Sequence, residues 1–569
     1  MNSSNKVKVT YDNYLEQISP ENENPNDENI SLFLNELESF IGESKVVTNK
    51  NIINHYSKNE IASNRIVPAV IRPEINEDII CIVRLANKYK IKIYPVSTGK
   101  NWGYGGASPV LNNSVIIDLS RMDKIISFDD ELGIVTVQPG VTQKKLYEYL
   151  KERNLNYLVP VTGAGPDCSL IGNAIEKGYG ITPHADHFGA VMSLEAVLPD
   201  GSVYHSAFTE NRCEITDKIF KWGIGPYLDG IFAQGNFGII TEMTIAMATV
   251  QESVEGFLIS IKSDDNLEQA VTAIQKTLKQ YGNLMGSINL MNRLRMMSMF
   301  TKYPKDKFEN QTIIPDELVD SICQKAKIGV WTVGGMIYGN KKIIKEVKKT
   351  IRQNFKPISN RTVFFNRKKI NLLQKIFSIT PRNSFVNIKD QLAKLSEAFK
   401  CIEGIPTEVA LPLCYWKSGT CPPKGQPMNP AVDNCGLLWY SPLVPMKPDK
   451  VREYVDMVKK ECLANNIEPL ITLTSLSHRC FDSTVPILFD PHSSDEVNNA
   501  RQCYDSLFEK GRDRQFHPYR VGIDHMDKII NKDSTYWKIV QSVKKNLDPN
   551  NILAPGRYNI ANQKGEVKL

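Results

Sequence analysis

Between Asn76 and Asn87 (NEDIICIVRLAN), Ile79, Val83 and Ala86 recur at helical spacing, with Glu77 and Asp78 near the N-terminal end. This pattern predicts an amphipathic helix whose first turn carries the favourable charge. A short apolar strand (Ile91, Ile93, Val96) follows, then two β-rich runs, Ser114–Ser120 and Gly133–Thr142, the second broken at Pro139–Gly140. Gln143–Leu150 reads as a helix, and glycine turns recur in Ser169–Pro183 and Ala233–Glu242. Near residue 250 the texture changes to strand-then-helix units. FLISIKSDDNLEQAVTAIQKTL is the first, with Asp265 and Glu268 spaced as N-cap and N3. The second places Ile343, Val347 and Ile351 on one helix face, and the third places Val451, Tyr454, Val455, Val458 and Cys462 on one face. These units predict an α+β layer with helices covering one face of a sheet. From about 511 the chain is helical again and then turns at DPNNILAPGRY, whose Pro-Gly turn matches the first part of the chain better than the middle. The predicted divisions are 1–250, 251–510 and 511–569.

At 569 residues the chain exceeds what one core supports. The net charge of +6 is small, and its lysines and arginines are interspersed with acids, which argues against nucleic acid as a partner. KKIIKEVKK (Lys341–Lys349) reads as a solvated helix face. No apolar run is long enough for a signal peptide or a bilayer span, so no membrane segment is expected. Eleven cysteines, an odd number without a C-x-x-C pair, favour a reducing, cytoplasmic setting and argue against a structural metal. The pair His184 and His187 lacks the further ligands a metal would need and reads as a polar turn. The lead Pro20–Asn29 is polar and reads as mobile.

Tyr94–Gly106 (YPVSTGKNWGYGG) follows a strand with four glycines, a lysine and two large aromatics. Glycine turns let a ligand approach the backbone, their N–H groups can form an anion nest, and Lys100 adds charge. The segment is either a phosphate cradle or an ordinary loop closing a strand; the spacing is not that of a P-loop. Several glycine turns in one β-rich region could line a single extended ligand.

These blocks resemble the vanillyl-alcohol oxidase and 4-cresol dehydrogenase group of flavoproteins. The resemblance rests on Tyr94–Val110, Val137–Thr142, Ile171–Pro183, Lys221–Met243, Pro518–Arg520 and Asp548–Arg557, in that order along most of the chain. It implies a two-part FAD-binding domain with an α+β cap that forms the substrate cavity. It further implies FAD contacts from Ser97, Thr98, Gly99, Lys100, Asn101 and Gly105 in the first loop. Gly140, Gly172, Asn173, Gly178, Gly180, Thr182, Gly238, Ile240 and Arg557 would line the rest of the cofactor. The implied activity is oxidation of a para-substituted phenol by benzylic hydride transfer, with Tyr104, Tyr519 and Arg520 at the phenol oxygen. Oxygen or a cytochrome would reoxidise the flavin, and a homodimer is common in such proteins.

Two departures matter. The family carries a third phenol-binding tyrosine where this chain has Ile181. That change leaves open a flavin-dependent oxidation of another small alcohol or 2-hydroxy acid, or a flavin-binding module without catalysis, and Tyr179 is a nearby substitute. The histidine that carries the flavin in one branch is Leu437 here, so attachment, if covalent, falls to Tyr415 in LCYWKSG, with Cys414 beside it. Asp167 is a candidate carboxylate, although the family's acid aligns nearer Ala164.

Overall fold

A computed structural model describes residues 27–308, 312–378, 382–423 and 425–561. Most of the expected polar lead lies outside the described residues; its last part, from Asp27, begins the helix Asp27–Ile41.

The first sheet runs in the order Val46–Val47, Val70–Ile71, Val115–Asp118, Ile93–Val96, with its last two strand pairings parallel. The predicted amphipathic helix spans Asn76–Tyr89 and buries Ile79, Ile82, Val83 and Ala86. With Phe33 and Leu37 these residues pack on Ile93, Val115 and Ile117, a core that apolar burial alone stabilises. The C-terminal segment returns to this sheet. Ile93 N donates to Ile552 O at 2.8 Å and Ala554 N to Ile93 O at 2.8 Å. Its anchor is Lys544, a fully buried ammonium that donates to Asp548 Oδ2 at 2.6 Å, Asn236 O at 2.7 Å and Leu553 O at 2.8 Å. A second, antiparallel sheet orders Ile125–Asp129, Ile134–Val137, Ile239–Ala246, Val191–Val197 and Val203–His205. Val197 and Ile239 from this sheet join the core of the first.

The cap is an eight-stranded antiparallel sheet. Its strands, in order, are Ser359–Phe365, Ser253–Ile261, Trp331–Gly339, Asn289–Asn292, Thr472–Ser475, Cys480–Phe489, Gly436–Pro445 and Pro518–Arg520. Helices Leu267–Tyr281, Lys341–Phe355, Pro448–Ala464 and Ser494–Asp513 bury Ile274, Val347, Val455 and Leu507 in one core with Ile259, Val333, Leu473 and Val485 of the strands. The helical faces read from the sequence are the buried ones, except that Ile343 is half-buried and Ile344 takes its place in the core. The last strand, Pro518–Arg520, lies beyond residue 511 and still pairs with the cap, Ser441 opposite Arg520. The expected capping pair Asp265 and Glu268 does not form. Asn266 is the N-cap, and Arg452 takes Glu268 at 2.7 Å and Asp264 at 2.6 Å instead. A guanidinium that binds two carboxylates outcompetes a single backbone N–H for them.

Candidate active site

Between the cap and the two smaller sheets lies one cavity of about 1610 Å³. Ser97, Thr98, Gly99, Lys100 and Asn101 line it, as do Gly172, Asn173, Gly178, Gly180, Gly238, Ile240 and Arg557. The loop takes its shape from Gly99, whose φ of +68° is a left-handed conformation that L side chains avoid. Its missing side chain faces not open space but Ala107, whose Cβ would stand 2.8 Å from an added Cβ. Thr98 Oγ1 accepts from Ser169 N at 3.1 Å, tying this loop to the turn that carries Gly172 and Asn173. Lys100 lies over the Trp102 ring, 5.3 Å from its centroid. Asn173 is held by His187, Oδ1 to Nδ1 at 2.5 Å, so this histidine braces a turn.

Three residues expected on the cofactor do not line the cavity, and each has a physical reason. Gly105 donates its N–H to Glu60 Oε1 at 3.3 Å, and Gly103 donates to the same oxygen at 2.5 Å. The second half of the glycine loop thus forms an anion nest whose anion is a side chain of the protein. Burial pushes the Glu60 carboxyl up to about 7 despite these donors. Gly140 makes room for the Ser120 carbonyl, 2.3 Å from where its Cβ would sit. Thr182 is buried on the far side of its turn, while Ile181 faces the cavity. Asp167 is exposed and lies off the cavity wall, which Ala164 lines.

The expected phenol-binding group does come together. Arg520 lies over the Tyr104 ring, 4.3 Å from its centroid. It donates to Asn101 Oδ1 and stands 3.6 Å from Glu176. Its buried Nε is the atom that faces Glu176 Oε2, too far for a hydrogen bond but within ion-pair range. The Tyr104 hydroxyl is 2.7 Å from Ser441 Oγ, and burial pushes its pKa up to about 12. Burial likewise holds the Tyr519 phenol far above its ordinary value. Both tyrosines are therefore neutral hydrogen-bond donors near pH 7. Tyr179, two residues from Ile181, packs edge-on against Tyr519 with centroids 5.8 Å apart.

Sequence reasoning missed two carboxylates here. Glu176 sits between the arginines, 2.6 Å from Arg557 and 3.6 Å from Arg520. Burial alone would raise its pKa, but Arg557 and then Arg520 hold it below the usual carboxylate range. One anion between two guanidiniums leaves the cluster net positive. Asp482, on the cap strand Cys480–Phe489, accepts from the Tyr519 hydroxyl at 3.4 Å and leaves Oδ1 buried and unpartnered. Burial raises its carboxyl to about 7. The only signal for Asp482 was an acid within the apolar run CFDSTVPILF. Glu176 adjoined a glycine turn already in view.

Tyr415 lines the cavity in a hydrophobic cluster with Trp102, Leu411, Leu437 and Trp416. Its hydroxyl donates to Asp433 Oδ2 at 2.5 Å. Cys414 lines the same wall, where burial pushes its thiol up to about 12. The residues fit an FAD. The cavity includes a left-handed glycine loop with a lysine, small residues at 172, 178 and 238, and cap side chains beside Arg520.

Residues 67–207 match the family model described as FAD binding domain. The chain is 31% identical over 503 residues to 1'-carboxy-chondrochloren decarboxylase of Chondromyces crocatus, covering 88% of this chain and 92% of that protein. It is 25% identical over 484 residues to the 4-cresol dehydrogenase [hydroxylating] flavoprotein subunit of Pseudomonas putida, covering 84% and 85%. The fold is that of p-cresol methylhydroxylase solved with substrate bound, with TM-score 0.81, 24% identity, and 94% and 97% of the two chains covered. Among the described residues no helix is long and apolar enough to cross a membrane. The chain belongs to the vanillyl-alcohol oxidase and p-cresol methylhydroxylase family of FAD-dependent oxidoreductases.

Proposed function

We propose that this oxidoreductase oxidises a para-substituted phenol at the carbon next to the ring, with Tyr104, Tyr519 and Arg520 at the phenol oxygen. The observation that carries the reading is the convergence of two neutral tyrosines, an arginine and a carboxylate in one cavity. FAD supplies the two-electron acceptor for the hydride, held by Ser97–Asn101, Gly172, Gly238 and Arg557. A phenol with pKa about 10 needs stabilisation of about 4 kcal/mol to ionise near pH 7. Arg520 and two phenolic donors, each charge-assisted bond contributing about 1.5–3 kcal/mol, suffice without a tyrosine at 181.

The phenol proton also needs a destination, and Asp482 provides it. The substrate O–H donates to the Tyr519 oxygen while Tyr519 passes its own proton to Asp482, so the net acceptor is the buried carboxylate. Tyr519, with its proton regained, faces the oxyanion. Because Asp482 accepts only when ionised, flavin reduction should speed up as pH rises through about 7, the value to which burial raises this carboxyl. Asp482→Asn should lose that step and lower the plateau by about a hundredfold. Anaerobic stopped-flow reduction by 4-propylphenol between pH 5.5 and 9 tests both points. An unchanged inflection in the Asn variant would remove Asp482 from the relay.

The oxidised substrate then takes up water or loses a group. The relative from Chondromyces crocatus is named for removing a carboxyl, which favours loss of CO₂ as one fate. The C–C bonding pair of a carboxylate one carbon further out would flow into the oxidised ring and restore the phenolate. We further infer that Tyr415 is the residue that would carry FAD covalently, its hydroxyl being held by Asp433. Acid-precipitated protein should then stay yellow, and Tyr415→Phe should release its FAD to the supernatant. Free FAD from the unaltered protein would place the attachment reading in error and leave the fold untouched.

A further inference from the structure

Arg295 is a cation inside the cavity without an anion. It lies in the first turn of the helix Arg293–Phe300, which follows the cap strand Asn289–Asn292. The Asn292 side chain fixes that turn: it accepts from Arg295 N at 3.0 Å and from Ile471 N at 3.1 Å, and it donates to Pro469 O at 2.7 Å. The two arginines of the turn have opposite surroundings. Arg293 faces out and pairs with Asp316 at 3.0 Å and with Asp320. Arg295 lines the cavity with Met291, Met299 and Cys414. Its guanidinium donates to Ser298 Oγ at 3.1 Å, and Ser298 donates to Arg295 O at 2.7 Å. Among the described residues no carboxylate pairs with it, and the nearby Cys414 thiol, raised by burial to about 12, is uncharged near neutrality and offers no counter-ion. Burial lowers its pKa to about 10, which leaves it charged near neutrality.

Enclosing a charge without a counter-ion is costly, and a fold that needed only volume here would be better filled by an apolar residue like the adjacent Met296 and Met297. The charge is therefore kept for a ligand. The phosphate-binding loop has its own cation, Lys100, and belongs to the other part of the protein, whereas Arg295 enters from the cap together with Met291 and Thr474. We propose that Arg295 anchors a carboxylate of the substrate, so that the preferred substrates are para-substituted phenols whose side chain bears an acid. This rests on the phenol reading above. A guanidinium suits the task because its planar fork matches both carboxylate oxygens.

The test is binding to the FAD-loaded enzyme, by calorimetry and by perturbation of the flavin spectrum. The probes are 3-(4-hydroxyphenyl)propanoate, the neutral 4-propylphenol and the non-phenolic 3-phenylpropanoate. The unaltered enzyme should bind the phenolic acid at least tenfold more tightly than 4-propylphenol. Arg295→Met should lose at least tenfold for the acid and stay within twofold for 4-propylphenol, and Arg295→Lys should fall between. Equal affinities in the unaltered enzyme, or equal weakening of both phenols in Arg295→Met, would overturn the proposal. So would loss of FAD from both variants, since Arg295 would then serve the cofactor. Should Arg295→Met not fold, the comparison in the unaltered enzyme and in Arg295→Lys still decides. If neither phenol reduces the flavin while 3-phenylpropanoate binding still depends on Arg295, the phenol reading fails and the carboxylate anchor stands.

Discussion

Arg520→Met should slow anaerobic flavin reduction by a 4-alkylphenol about a thousandfold, with flavin content unchanged. The magnitude follows from the ionisation it supports: about 4 kcal/mol of phenolate stabilisation corresponds to about three powers of ten in rate. Among the described residues, Arg520 alone brings full positive charge to the proposed phenol end, apart from Arg557. Tyr104 and Tyr519 are held neutral by burial, and Arg557 is engaged with Glu176 at 2.6 Å. The guanidinium also meets the Tyr104 ring, Asn101 and Glu176 at once, a set of directions that an ammonium cannot reproduce. Arg520→Lys should accordingly slow reduction more than tenfold even though it keeps the charge. Measured flavin content and melting temperature separate this effect from a collapsed site. If Arg520→Met still reduces within tenfold of the unaltered enzyme, the substrate is not bound as a phenolate, and oxidation of a 2-hydroxy acid or another alcohol takes the place of that reading.

Much of the architecture was legible because it is written as periodicity. Ile79, Val83 and Ala86, or Val451, Val455 and Val458, lie on one helix face whatever the rest of the chain does, and each set is buried. The phenol-end cluster was legible through adjacency, since Tyr519 and Arg520 travel together and Tyr104 lies in the glycine loop. What escaped were partnerships set by tertiary folding. Gly105 reads as an anion-nest residue and is one, but its anion is Glu60, a partner that nothing in the local run identifies. Asp265 has the spacing of a helix cap, yet Arg452 claims its neighbours. Asp482 and Arg295 are single charges in apolar surroundings. In sequence each resembles a surface residue of a strand or helix, and only the packing of the cap around the cavity makes one a buried carboxylate with an unpartnered oxygen and the other a cation without a counter-ion.

Gly99→Val should yield protein that purifies without FAD. The reason differs from simple blockage of a phosphate. At φ +68° a β-branched residue is strained by about 1–3 kcal/mol, because its side chain crowds the backbone in the left-handed region. Its Cβ would also stand 2.8 Å from Ala107 Cβ, a contact that must be relieved by moving one strand of the loop away from the other, at about 1–3 kcal/mol more. Either the loop opens or it pays that strain on binding, and the summed cost of about 2–6 kcal/mol weakens FAD binding by between about thirtyfold and twenty-thousandfold. The displaced atoms are the ones that matter: Ser97, Thr98, Lys100 and Asn101 line the cavity on this loop, and Asn101 also accepts the Arg520 donor. Gly99→Ala, which shares the strain at φ but is smaller, should retain more FAD than Gly99→Val. The measurement is flavin absorbance per protein after dialysis, made in the Tyr415→Phe background so that no covalent bond can retain the cofactor, with circular dichroism to confirm that the sheets remain. Stoichiometric FAD in folded Gly99→Val would mean that the pyrophosphate does not rest on Ser97–Asn101, and the cofactor would have to be placed elsewhere along the cavity.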